Sequence, residues 1–143
     1  MKPNGDAIQR RDIVATNMAT SGFWKRVLDD FQARQVIIEV KNYEELGPDD
    51  FRQALSYSGG AYGRFVMIVN RTQSEGATVK ERGWISEMFH QHDCLVFTLP
   101  AEVMAQCLRK LRNVQRYDYV EKTMSRRLDT FERSYLSGRH VRK

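Results

Sequence analysis

The sequence predicts an α/β fold in which helices flank a mixed β-sheet, and three observations carry that expectation. Short runs rich in β-branched and aromatic residues recur at positions 36–43, 65–69 and 94–99, as buried strands do. Between them lie segments whose apolar residues repeat every three or four positions, the spacing of a helix with one buried face. Strand and helix alternate in order, and a helix joining two such strands makes a crossover to a parallel neighbour.

Residues 1–9 read as a polar N-terminal segment, and a short strand is expected over 10–15 with Asp12 near its start. Ser21 can cap the next helix, whose stripe is Phe23, Trp24, Val27, Leu28 and Phe31; a serine oxygen accepts from an N–H left unpaired at a helix start. Asp29 and Asp30 lie off that stripe and are expected to face solvent. After the 36–43 strand, Pro48 suits a first helical turn and the acids around it favour a helix N-terminus. That helix runs through Phe51, Ala54, Leu55 and Ser58 and stops at Gly59 and Gly60, which tolerate the backbone of a helix end. A helix over 79–90 leads to the 94–99 strand, and Pro100 opens a helix reaching Leu111. Tyr117, Val120, Met124, Leu128, Phe131 and Tyr135 then form one stripe on a long C-terminal amphipathic helix, whose other faces carry Lys122, Arg126, Arg127 and Arg133. The organisation expected is the 1–9 segment, a core domain over 10–112, and a basic helix over 113–143 with a frayed tail from 138.

One domain fits 143 residues, 41% hydrophobic and 29% charged. Cys94 and Cys107 make neither a disulfide framework nor a metal cage, so a cytoplasmic setting is expected. No stretch reaches the roughly 20 apolar residues of a membrane span, and the opening Met-Lys-Pro-Asn-Gly-Asp lacks the apolar run of a secretory signal; no membrane partner is expected. The net charge of +5 is uneven: residues 1–108 hold 12 Lys or Arg against 14 Asp or Glu, and residues 109–143 hold 11 against 4. Such a basic segment either solvates a helix face or meets phosphates.

The 36–43 run, Val-Ile-Ile-Glu-Val-Lys-Asn-Tyr, sets an acid and a base in an otherwise apolar strand. Strand geometry sends Glu39 and Lys41 to one face and Val40 to the other. Burying both ions costs free energy unless each finds a partner. Glu-x-Lys alone is a weak pattern that recurs on solvated helix faces, so its neighbours decide. On the next helix Gln53 and Tyr57 share a face one turn apart.

Asp12, then Glu39-x-Lys41 on a later strand, then Gln53-Ala-Leu-Ser-Tyr57 on the following helix resembles the PD-(D/E)XK phosphodiesterase superfamily, in detail its Mrr-like and RecB-like nucleases. The resemblance covers about residues 10–98. It implies a restriction endonuclease-like core and a metal-dependent nuclease that hydrolyses phosphodiester bonds in DNA, an endonuclease of restriction or repair type. Under it, Asp12, Glu39 and the backbone carbonyl of Val40 would ligate Mg2+, with Mn2+ able to substitute. Lys41 would orient or help deprotonate the attacking water and stabilise developing charge, and Gln53 and Tyr57 would position that water or the scissile strand. Magnesium suits the role because it takes oxygen ligands, few of them from protein, and acidifies water. Two departures stand out: the proline that precedes the motif aspartate is Arg11 here, and only eleven residues precede Asp12 where such nucleases carry a helix, often with another acid; the expectation is that Asp6 substitutes for that acid, that the chain is a fragment of a longer protein, or that the 117–136 helix covers the sheet face left open.

Arg126, Arg127 and Arg133, with Arg64 and Arg71, are the expected contacts to the DNA backbone. A homodimer through the C-terminal helix, or fusion to a larger protein, is the expected assembly. Two other classes remain open: a catalytically silent nucleic-acid-binding or assembly module of the same fold, and a nuclease of structured RNA. His90, His92 and Asp93 read as a helix end, and Trp84 and Met88 as core. No phosphate-binding Gly-rich loop and no serine or cysteine paired with histidine is visible.

Overall fold

A computed structural model of the protein describes residues 12–42, 44–72, 76–112 and 117–136. The polar 1–9 segment with Asp6, the expected strand positions 10, 11 and 43, the tail with His140, and the side chains of Asp12 and Tyr117 lie outside the described set. The elements are β1 (Asp12–Thr16), α1 (Gly22–Phe31), β2 (Gln35–Lys41), α2 (Pro48–Tyr57), β3 (Phe65–Asn70), α3 (Val79–His92), β4 (Leu95–Pro100), α4 (Ala101–Lys110) and α5 (Tyr117–Thr130). A 3-10 turn, Gly60–Tyr62, precedes β3, and a π-helical turn, Phe131–Leu136, continues α5.

The helix starts follow the sequence chemistry. Ser21 Oγ accepts from Trp24 N at 3.3 Å, and Thr78 and Glu81 form a reciprocal capping box at α3, with Glu81 N donating to Thr78 Oγ1 at 3.1 Å and Thr78 N to Glu81 Oε1 at 3.0 Å. Pro100, the last residue of β4, caps α4. Gly63 takes a φ of +60°, and a Cβ there would collide with the Phe31 and Gln32 backbone; only glycine allows the chain to enter β3 this close to the end of α1.

The four strands form one mixed sheet in the order β1-β2-β3-β4. β1 runs antiparallel to β2, and β2, β3 and β4 are parallel. The class is therefore α/β with helices on both faces. On one face α2 meets β2 through Lys41 and Gln53, and Phe51 of α2 stacks on Trp84 of α3. On the other, Phe65 contacts Phe31, and Phe97 contacts both Phe23 and Phe131. The edge strand β1 leaves Ile13 and Val14 each 53% exposed.

The expected C-terminal stripe is present, and its partner is the core. Met124, Leu128, Phe131, Tyr135 and Leu136 are all buried in the same cluster as the sheet residues. Arg26 on α1 pairs with Asp129 at 3.0 Å and Glu132 at 2.7 Å, and Glu121 Oε2 accepts from Phe23 N at 2.9 Å. Within residues 117–136 the helix and its continuation thus pack on the core. From Met124 to Leu136 its apolar stripe is buried within the molecule.

Candidate active site

The antiparallel β1–β2 register sets Asp12 directly across from Glu39. The parallel β2–β3 register sets Glu39 beside Ile68 and Lys41 beside Asn70. Glu39 and Lys41 therefore stand at the carboxyl end of an interior strand, Glu39 with a paired neighbour on either side and Lys41 paired with Asn70. Asn70 Nδ2 donates to the Glu44 carbonyl at 3.1 Å, which ties down the connection leaving β2.

Glu39 is 1% exposed, and the Lys41 side chain is 16% exposed. Lys41 Nζ donates to Gln53 Oε1 at 2.8 Å, and it lies 3.3 Å from Glu39 Oε2 and 3.7 Å from Asp50 Oδ1. The ammonium so answers the desolvation of the carboxylates, the condition for burying such a group in an apolar sheet. Two carboxylates, Glu39 and Asp50, thus converge on the one ammonium of Lys41. The oxygen donors present are hard ones, which suit magnesium or manganese rather than zinc or copper. Glu39, the Val40 carbonyl and the Asp12 position opposite are the groups that would hold such an ion. Among the described residues, no group of three or more His, Cys, Asp or Glu is close enough to bind a metal; magnesium normally takes one or two carboxylates from protein and keeps waters.

The sequence-predicted residues divide clearly. Glu39, Lys41 and Gln53 meet in one cluster, and the Asp12 backbone is in register with it. Val40 points to the opposite face and is partly exposed. Tyr57, one turn beyond Gln53, is half-buried against the core. Arg71 is exposed immediately after β3, at the site's end of the sheet. Arg64 sits before β3, at the far end. Its guanidinium pairs with Asp93 at 2.8 Å, bonds Gln32 Oε1 and the Asp30 carbonyl, and lies over the Phe31 ring. Arg127 donates through Nε to the Thr98 carbonyl on β4 at 2.6 Å. Arg126 and Arg133 are exposed on the C-terminal helix and its continuation.

Asp50 is the member that sequence reasoning missed, having read it only as a helix-start acid. It does cap α2, its Oδ2 accepting from Gly47 N at 2.9 Å. Yet it is 8% exposed, and its other oxygen faces Lys41. The available signal was spacing, since Asp50, Gln53 and Tyr57 fall at i, i+3 and i+7 on one face of α2.

No protein-family model matches this sequence, and no solved structure matches it. Among curated proteins it is similar to the "Putative transposon gamma-delta 80.3 kDa protein" of Escherichia coli (strain K12), 44% identical over 142 residues, which cover 99% of this chain and 20% of that protein. The chain thus spans about one fifth of the length of the curated relative it matches.

Proposed function

We propose that this domain is a metal-dependent nuclease that hydrolyses phosphodiester bonds in DNA, with a restriction endonuclease-like core. The observation that supports this best is the convergence of Glu39, Lys41 and Gln53 at the carboxyl end of β2, with the Asp12 position in register across from Glu39. Glu39 and the Asp12 carboxylate would hold Mg2+ or Mn2+ with the Val40 carbonyl. When bound, such an ion neutralises charge on the transferring phosphoryl group and acidifies water. Lys41, steered by Gln53, points its ammonium at the oxygens on which charge develops. Gln53 and Tyr57 border the path of the scissile strand. Arg71, Arg126 and Arg133 are exposed and fit backbone contacts, while Arg64 and Arg127 bond within the fold. The likeness to a transposon protein favours DNA over structured RNA, since a transposon is a DNA element.

Plasmid nicking with magnesium, with manganese and with chelator, run beside Lys41→Ala, tests the reading. The expected result is metal-dependent nicking that falls about 10²- to 10⁴-fold in the variant while its melting transition persists. Retention of DNA without cleavage under either metal would instead select the silent binding module, and cleavage of hairpin RNA alone would select the RNA nuclease.

A further inference from the structure

Beside β4, a groove of about 430 Å3 opens among Gly76, Gln106, Tyr119, Thr123, Arg126 and Arg127. Among the described residues, no carboxylate lines it. Arg126 offers an exposed guanidinium. The Tyr119 hydroxyl donates to Gln106 Oε1 at 3.0 Å, which turns the Gln106 amide so that its oxygen is already engaged and its NH2 remains a donor. Arg127 adds its charge to the wall while its Nε holds the Thr98 carbonyl of β4. Donors and positive charge, with no acid among the described lining residues, describe a site for an anion.

The place of the groove matters as much as its chemistry. Gly76 belongs to the connection that leaves the carboxyl end of β3, and α4 begins at the residue after β4 ends. The groove therefore flanks the edge strand β4 on the face that Phe131 covers, two strands away from β2, whose Lys41 stands on the other face. From strand spacing and one helix layer, the two sites stand on the order of 20 Å apart, a distance that spans about six nucleotides of a B-form strand.

We infer that the groove is a second seat for the nucleic-acid backbone, taking a phosphate about six nucleotides from the bond held at Glu39 and Lys41. The inference rests on the nuclease reading for the bond it is measured from, and its test reads binding apart from cleavage. Binding of the full chain in chelator is measured with a labelled DNA hairpin of about twenty base pairs and one of about four, too short to reach both sites. Arg126→Ala weakens the long hairpin about fivefold to tenfold, lowers the salt slope by about one and leaves the short hairpin unchanged. Lys122→Ala, on the same helix and outside the groove, changes neither. Long-hairpin binding and a salt slope unaltered in Arg126→Ala overturn the inference, as does an equal loss in Lys122→Ala, which would mean diffuse charge. Groove-dependent binding by a wild-type chain that cuts nothing under either metal keeps the inference and removes the nuclease; a wild-type chain that binds no hairpin removes the groove.

Discussion

Lys41 holds three oxygens at once, and the contribution of each can be separated by substitution. Asp50→Asn retains an oxygen for the Gly47 N–H and loses the charge facing Lys41; Asp50→Ala loses both. The alanine variant is expected to unfold about 1 kcal/mol more easily, the usual worth of such a cap, and the asparagine variant to stay near wild type by denaturant melting. If Asp50 steers Lys41, nicking falls in both, by about tenfold to a hundredfold; full nicking in Asp50→Asn would leave Asp50 a cap only. Cys94 makes a second residue-scale case. Burial pushes its thiol from 9.0 up to about 11, against a hydrogen bond with Ser58 that pulls it down. Its ionised form is disfavoured in the folded state alone, so its stabilising effect is complete below pH 9 and declines as pH rises from 9 towards 11. Unfolding free energies of wild type and Cys94→Ala, from denaturant titrations across that range, should converge by up to about 2–3 kcal/mol.

The helices and strands were largely legible in the sequence, because each carries its own periodicity and its own stop and start signals. What they pack against was not. The stripe from Val120 to Tyr135 said that one face of α5 is buried, and equally fitted a second subunit; the answer lies in Arg26, Asp129 and Glu132, which no local pattern links. The π-helical turn at Phe131–Leu136 likewise escaped, since a spacing of three and four persists while the ladder widens to seat Phe131 and Tyr135. Phe131→Ala should cost about 3–5 kcal/mol in chemical denaturation, as befits a ring packed on Phe97 and Tyr135. A loss within 1 kcal/mol would mean that the turn is peripheral. Gly63→Ala, where the new Cβ meets backbone, is also expected to unfold the entry to β3.

At the level of the molecule, the sequence indicated the parallel neighbours through their connecting helices and named Glu39, Lys41 and Gln53. It could not indicate that β1 lies antiparallel on the outer side of β2, the placement that sets Asp12 across from Glu39. Such pairing is a long-range choice made by the whole core. A chain ending at residue 112 removes Met124, Leu128 and Phe131 from that core and should lose its cooperative melting transition. The Arg26 pairs carry one more consequence, for synthesis. They join residues 103 and 106 positions apart, and a ribosome adds roughly 5–20 residues per second, so α1 waits about 5–20 s for its partner helix. Through that interval Phe23, Phe31 and Phe97 have only part of their cover, and the nascent domain is a client for chaperones until position 136 has left the exit tunnel.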